Sequence, residues 1–153
     1  MAAATTPRNT PQMGVAPGVI PARVSVPVAD NVKLLPGTIA VIKAGYASPA
    51  VLETGDLPAG MVGSESGSSA GMTAWDNTVT GHAAGAFEVP IEQGVFKWAN
   101  AGTITQANVG GVCYAADNQT VTATATGASV VGKILRVDSD GVWVLSYLGM
   151  TNS

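Results

Sequence analysis

Residues 86–100 read Ala-Phe-Glu-Val-Pro-Ile-Glu-Gln-Gly-Val-Phe-Lys-Trp-Ala-Asn, and they hold both Phe residues and one of the three Trp residues of the chain. From Phe87 to Ile91 large apolar residues alternate with polar residues or proline, which is the period of a β-strand with one buried face. Beyond Gly94 the large apolar residues change from odd to even positions, as they do where a β-bulge inserts one extra residue. The stretch therefore predicts the central strand pair of a small β-domain.

Composition limits the class of protein to which the chain can belong. Its 153 residues are enough for one domain with a single core. Only 11% of the residues are charged, less than half of the usual share of about 25%. We therefore expect much of the surface to consist of Ser, Thr, Ala and Gly or to be covered by another subunit. No apolar run reaches the roughly 18 residues of a membrane span, and the N terminus lacks the apolar core of an export signal. The single Cys fits a reducing compartment.

Charge is distributed unevenly along the chain. Residues 1–38 hold three basic residues against one acidic residue, a net charge of +2, whereas residues 39–153 hold four basic against nine acidic residues, a net charge of −5. Because an acidic body repels phosphate, the sequence argues against nucleic acid as a partner. The weakly basic N-terminal segment is suited instead to an acidic protein surface.

The first 37 residues differ in character from the rest. Six prolines in residues 1–36 exclude a long helix and a central β-strand. Composition alone is typical of a disordered tail, but nine Val, Ile and Leu residues make the segment more apolar than a solvated linker. We therefore predict an extended Pro-rich arm, residues 1–37, lying on a neighbouring protein, and a β-rich domain over residues 38–150. The candidate contact residues are Arg8, Val19, Ile20, Arg23, Val26 and Lys33, with Trp75 added from a loop.

Short β-strands are predicted from residue 38 onward. Two are expected on either side of a turn at Ser48-Pro49, and a third near Met61. Residues 63–73 are rich in Gly and Ser, which predicts a flexible loop.

The C-terminal third gives the clearest pattern. Thr105 is expected to cap a single helical turn, and the turn Asp138-Ser139-Asp140-Gly141 joins two apolar strands into a hairpin. About eight to ten short strands with frequent turn signals predict an all-β fold, a small antiparallel barrel or sandwich. The predicted structural core residues are Phe87, Phe96, Trp98, Ile134 and Trp143.

The residue types that carry chemistry are few and scattered. His82 is the only His and lies in a Gly/Ala loop without a nearby Cys. Cys113 lies in an apolar strand, where a Cys is usually a small buried core residue. Glu88 and Glu92 are about 13 Å apart along one strand, too far for a paired acid and base. The sequence therefore predicts a protein that is not an enzyme and uses no metal or cofactor.

Several segments together resemble a known family. They are Gly94-Val95-Phe96-Lys97-Trp98-Ala99-Asn100, Ile104-Thr105-Gln106-Ala107-Asn108-Val109-Gly110, Cys113-Tyr114, Asp117-Asn118-Gln119-Thr120-Val121, Gly132-Lys133-Ile134 and Val137-Asp138-Ser139-Asp140-Gly141-Val142-Trp143-Val144. In this pattern of turns and strands, over about residues 38–147, the chain resembles the DUF2190 family of capsid cement, or head decoration, proteins of tailed bacteriophages.

The resemblance implies a structural protein of the virion. Members of the family are β-rich proteins that bind the outer surface of an assembled capsid as oligomers and stabilise contacts between capsomers. For this chain the resemblance implies the major capsid protein as partner, a homo-trimer or homo-dimer, and the outer surface of the capsid as location after synthesis in the host cytoplasm. The Pro-rich arm departs from the family pattern, so contacts between the arm and the capsid are inferred from its composition alone.

Two other classes of function remain open at the level of sequence. Trp75, Tyr46 and the Ser/Gly loop would suit a head fibre or a carbohydrate-binding module displayed on the virion. A hydrolase of unknown type would have His82 and Cys113 as its obvious reactive groups.

Overall fold

A computed structural model describes residues 2–14, 22–51, 53–64, 73–79 and 81–150. In these ranges the regular secondary structure is almost entirely β, which confirms the predicted all-β class. The strands are β1 (Gln12–Gly14), β2 (Arg23–Pro27), β3 (Lys33–Leu34), β4 (Ile39–Lys43), β5 (Tyr46–Pro49), β6 (Leu57–Val62), β7 (Trp75–Asp76), β8 (Glu88–Glu92), β9 (Gly94–Asn100), β10 (Val112–Ala115), β11 (Thr120–Thr122), β12 (Val130–Asp138) and β13 (Gly141–Ser146), with a 3-10 helix at Gln106–Asn108. Thr105 occupies the N-cap position of that helix, where its backbone N–H donates to Asn108 Oδ1 at 2.8 Å.

Five of the strands close into a small barrel. β9 pairs with β11, β11 with β10, β10 with β12, β12 with β13, and β13 returns to β9. The β9–β11 pair is parallel and the other four are antiparallel. Closure leaves these strands without a free edge over most of their length, which removes the usual route to edge-to-edge aggregation. β1 adds to the first part of β9.

The barrel interior holds three of the five predicted core residues. Phe96 and Ile134 are 0% exposed and Trp98 is 1% exposed. The rings of Phe96 and Trp98 lie 6.1 Å apart, centroid to centroid, in a tilted arrangement. The even-numbered residues of β9 therefore face the interior, as the sequence pattern indicates.

The other two predicted core residues lie elsewhere. Phe87 is half-buried at the edge of a second apolar cluster, with its ring centroid 6.4 Å from that of Trp75. Trp143 is half-buried on the outer face of β13, because its neighbours Val142 and Val144 point into the barrel. The assignment of Trp143 to the core is therefore wrong. Its indole N–H is used by a hydrogen bond to Asp138, 3.0 Å long.

A second five-stranded sheet packs beside the barrel. Its order is β2-β8-β6-β4-β5 and all of its pairs are antiparallel. The sheet curls so far that its two edge strands meet at a bridge between Val28 and Ala47. It encloses an apolar cluster of Val26, Val28, Leu34, Ala40, Ala47, Ala59, Val62, Val89 and Ile91.

β4 separates the two clusters, because Ile39 and Val41 face the barrel cluster while Ala40 faces the second.

The stretch at residues 86–100 is a crossing between the two sheets. β8 pairs with β2 and β6, whereas β9 pairs with β1, β11 and β13, so the two strands do not pair with each other. Gln93 lies between them at 2% exposure, and its side-chain Oε1 accepts the backbone N–H of Leu148 at 2.6 Å. The predicted central strand pair is therefore wrong. The change of parity marks a change of sheet, not a bulge within one strand.

The first hairpin has its turn in a different place from the predicted one. Ala44 and Gly45 form the turn with positive φ angles of 51° and 89°, and Ser48-Pro49 belongs to β5. Two consecutive positive φ angles give the strand twist that a two-residue hairpin needs. Trp75 also differs from its prediction, since it lies in β7, which pairs with β3, and not in a loop.

The separate N-terminal arm is not confirmed. Residues 22–36 form β2, β3 and their connections, and Val26, Val28 and Leu34 are buried in the second cluster. The apolar residues that suggested contact with a neighbouring protein are part of the core of this chain instead. Pro27 is tolerated because it lies at the end of β2, which is an edge strand. Residues 2–14 lie against the barrel, as described below.

Candidate functional site

The residues with catalytic potential lie in unlike environments. Within the described ranges, no three His, Cys, Asp or Glu side chains gather closely enough to hold a metal ion. Cys113 lies inside the barrel, where burial raises the pKa of its thiol to about 12, so the thiol is protonated at neutral pH. His82 is exposed on a loop and its Nδ1 contacts the carboxylate of Asp30. The two groups of the hydrolase hypothesis are thus an inert core thiol and a surface imidazole.

The hairpin between β12 and β13 carries a compensated set of charges. The Asp138 carboxylate accepts hydrogen bonds from Trp143 Nε1 at 3.0 Å and from Arg136 Nε at 2.7 Å, and these bonds hold the pKa of Asp138 below its usual value. Lys97 contacts the Asp140 carboxylate and lies 3.9 Å from Asp138. Because each charge has an opposite charge beside it, this region presents little net charge to a partner.

Residues 2–14, which we call the strap, make a series of polar contacts with distant parts of the chain. At its start, Ala4 and Asn118 form a reciprocal pair: the Ala4 N–H donates to Asn118 Oδ1 at 2.7 Å, and Asn118 Nδ2 donates to the Ala4 carbonyl at 3.1 Å. Gln119 Nε2 donates to the Ala2 carbonyl at 2.5 Å. Two side-chain amides at the β10–β11 turn thus bind the backbone of the strap as a neighbouring strand would.

Arg8 attaches the middle of the strap. Its backbone N–H donates to the Pro36 carbonyl at 2.8 Å, and its Nη1 donates to Gln119 Oε1 at 3.2 Å. The guanidinium carbon lies 5.6 Å from the centroid of the Trp98 ring, within range of a cation–π contact. Partial burial lowers the pKa of the Arg8 guanidinium, and the nearby Asp117 carboxylate acts in the opposite direction.

The end of the strap joins it to the barrel. The Thr10 hydroxyl donates to the Gly37 carbonyl, and the Pro11 carbonyl accepts the Lys97 N–H at 3.0 Å. β1 then pairs with β9. The strap groove, as we call the surface that receives these residues, consists of Pro36, Gly37, Phe96, Lys97, Trp98, Asn118 and Gln119.

The predicted contact residues are spread over different parts of the molecule. Arg8 lies in the strap, and Val26 is buried at 7% exposure in the second cluster, so its assignment as a contact residue is wrong. Arg23 reaches across from β2 to β8, where its Nε donates to Glu92 at 2.8 Å. Lys33 is exposed.

The remaining three are Trp75, Val19 and Ile20. Trp75 is half-buried and its indole N–H donates to the Gly63 carbonyl at 2.9 Å. Val19 and Ile20 lie outside the described residues. A role in binding another protein stays a prediction for Arg8, Arg23, Lys33 and Trp75.

Sequence reasoning missed the residues that form the strap groove. Asn118 and Gln119 read as an ordinary turn, yet Asn118 binds Ala4, 114 positions earlier in the chain. Local patterns carry no information about a contact of that range. The one local signal in the sequence is the dipeptide Pro36-Gly37, which is typical of a turn; in the structure Gly37 has a φ of +87° at the groove.

Gly37 offers a test of the strap contact, with Gly45 as its matched control. Their φ angles of +87° and +89° give an introduced Ala nearly the same backbone strain. A Cβ atom on Gly45 meets nothing within 4 Å, whereas one on Gly37 overlaps the carbonyl oxygen of Arg8 and lies 2.6 Å from its carbonyl carbon. We expect Gly37→Ala to cost about 1–3 kcal/mol more than Gly45→Ala.

Hydrogen exchange of the strap amides, measured alongside urea unfolding, checks this expectation. Gly37→Ala should raise exchange in residues 2–14, and Gly45→Ala should leave it unchanged. Equal exchange in both variants would show that the strap does not need the close approach at Gly37.

Comparison with known proteins adds no relative. No family model, no curated protein and no solved structure matches the chain. Among the described residues, none of the helices has the length and apolar character to cross a bilayer.

Proposed function

We propose that the chain is a capsid cement, or decoration, protein that binds the outer surface of a phage head and stabilises contacts between capsomers. The observation that carries this proposal is the position of the segments that resemble the DUF2190 family. From Gly94 to Val144, they lie in β9, β10, β11, β12, β13 and the connections between them, which together make the closed barrel. Segments dispersed in the sequence thus belong to one compact unit, as expected if the resemblance reflects a shared domain.

The physical character of the chain agrees with a structural role. A cement protein needs contact area and stability, and needs no reactive group. Few charges, and charges that are compensated where they occur at the β12–β13 hairpin, reduce the desolvation cost of burying a surface against a capsid. Many copies on a symmetric shell gain from avidity, so each contact can be modest.

We infer a homo-oligomer, a trimer or a dimer, with the major capsid protein as its partner. The site of action is the outside of the virion. An oligomer that matches a symmetry axis of the shell repeats the same contact in each subunit, which is the arrangement that closed oligomers use.

The alternative, a head fibre or carbohydrate-binding module, receives less support. Trp75 is the main aromatic candidate for stacking on a sugar, and it is half-buried, packs near Phe87 and donates its indole N–H to Gly63. Tyr46 is also half-buried. A glycan array tests this alternative: signals that disappear in Trp75→Ala, while head binding persists, would favour it.

The primary test is binding to heads of the phage that encodes the chain, prepared without their cement protein. Purified chain is mixed with these heads and separated by sedimentation, with unassembled capsid protein as control. We expect saturable binding to heads at a fixed number of copies, and cryo-EM density on the outer surface at symmetry axes. Absence of binding, or binding that never saturates, would contradict the proposal.

A further inference from the structure

Residues 2–11 of the strap are attached to the body mainly by polar contacts. Of residues 2–11, Thr10 alone is buried. The other contacts are hydrogen bonds made by the backbone of Ala2, Ala4 and Pro11, and the contacts of Arg8, whose half-buried side chain binds Gln119 and lies over Trp98 and whose backbone binds Pro36 and passes close to Gly37. Each such bond contributes little net stability, because water offers an alternative partner. The strap adds to these contacts only the short β1–β9 pair, at Phe96 and Val95, so it can leave its groove at a lower free-energy cost than unfolding of the barrel.

The strap groove itself does not depend on the strap for its shape. Lys97 and Trp98 belong to β9, which β13 holds through five residue pairs. Asn118 and Gln119 lie in the tight turn between β10 and β11, where the Gln119 N–H donates to the Asp117 carboxylate at 2.9 Å. The groove is thus a preformed site for an extended peptide, and its side-chain amides form hydrogen bonds with the backbone of that peptide.

An empty groove would leave the side-chain amides of Asn118 and Gln119 without their strap partners and the Trp98 ring without its contact to Arg8, so the groove favours reoccupation. Residues 2–14 of a second copy are chemically identical to the strap and would make the same bonds. Exchange of a terminal segment between copies therefore preserves every local contact and adds a subunit connection.

Chain length and charge are compatible with such an exchange. Seven residues, 15–21, separate the strap from Ala22, and an extended chain of that length reaches up to about 25 Å. The strap contributes the positive charge of Arg8 to a surface that includes Asp117, on a body that is acidic from residue 39 onward. A second copy thus supplies a segment of suitable charge for the groove.

We propose that, in the oligomer, the strap of one copy occupies the strap groove of a second copy. Asn118, Gln119 and Gly37 are then subunit-contact residues, and Arg8 of each copy covers Trp98 of its neighbour. The inference rests on the oligomer of the proposed function and identifies the segment that connects its subunits.

The test uses the full chain and a nitroxide spin label at Ala4→Cys. Ala4 contacts Asn118 through its main chain, so the substitution keeps those bonds, and the buried Cys113 is protected from the label. Spin-labelled chain without isotope is unfolded together with ¹⁵N-labelled wild type and refolded. Exchange predicts loss of the Asn118 side-chain amide signals and of the Gln119 and Lys97 amide signals in the wild-type copy. Reduction of the nitroxide should restore them.

The matched control places the spin label and ¹⁵N in the same chain, refolded with an excess of unlabelled wild type. Exchange predicts that the same signals persist in this sample, because most straps then occupy grooves without isotope. The reverse pattern, loss in the same-chain sample and persistence in the mixed-copy sample, would overturn the proposal. The reverse pattern of signals together with normal binding to heads would contradict strap exchange but not the proposed function.

Discussion

Replacing Phe96 by Ala is expected to lower the free energy of unfolding by about 3–5 kcal/mol. Phe96 is 0% exposed, packs against Trp98 and lies on the strand that contacts three others, β1, β11 and β13. Its removal leaves a cavity in the middle of a closed barrel, where the surrounding strands have little freedom to collapse. Urea unfolding followed by Trp fluorescence measures the loss of free energy. In thermal unfolding we expect the melting temperature to fall by about 2–4 °C for each kcal/mol lost.

Phe87→Ala is the matched control, because it makes the same chemical change at the only other Phe of the chain. Phe87 is half-buried at the edge of the second cluster, so we expect a loss of about 1–2 kcal/mol. Equal losses in the two variants, or an unchanged stability for Phe96→Ala, would mean that the barrel is not organised around β9.

Alternation of side chains predicted the strands well but did not predict how they pair. β8 and β9 agree with the alternating apolar pattern, because a strand with one buried face has a period of two, whereas β12 and β13 agree with the prediction made from their β-branched and aliphatic residues and the turn between them. The same pattern does not predict which sheet a strand joins. At Gln93 a change of sheet and a β-bulge both reverse the parity of the apolar residues, so the sequence alone could not distinguish them.

Proline gave misleading signals in two segments. Ser48-Pro49 predicted a turn, but Pro49 ends an edge strand, while the true turn uses Ala44 at a positive φ that Ala seldom adopts. The prolines of residues 22–36 likewise suggested an arm, yet edge strands and connections accommodate them.

The strap groove lay beyond sequence reasoning for a different reason. Three of its residue pairs, among them Ala4 with Asn118 and Arg8 with Gln119, are more than 100 positions apart. In a sequence, an amide side chain in a turn that binds a distant segment cannot be distinguished from one that is solvated. Only the folded barrel brings them beside the N terminus.

Gly132→Ala is expected to destabilise the chain by about 3 kcal/mol or more, because it overfills a site with no room. Gly132 lies inside β12, opposite Cys113 of β10. An added Cβ atom overlaps the Leu145 carbonyl oxygen and lies 2.7 Å from Ser146 Oγ and 2.8 Å from Val144 Cγ1. Both the carbonyl and the valine belong to β13, so the clash pushes apart two strands on which barrel closure depends. Thermal unfolding monitored by circular dichroism measures the effect.

Gly111→Ala is the control for Gly132→Ala, since neither glycine has a positive φ and an added Cβ atom has much more space at Gly111. At Gly111 the nearest atom to an added Cβ is the Asn108 carbonyl oxygen at 3.2 Å, at the exposed end of the 3-10 helix. That contact can relax by a small shift, so we expect a change within about 1 kcal/mol. A glycine inside an apolar strand pattern indicates either weak packing or a close approach of another backbone. If Gly132→Ala proves as mild as the control, the close approach of β12 and β13 is not needed to close the barrel.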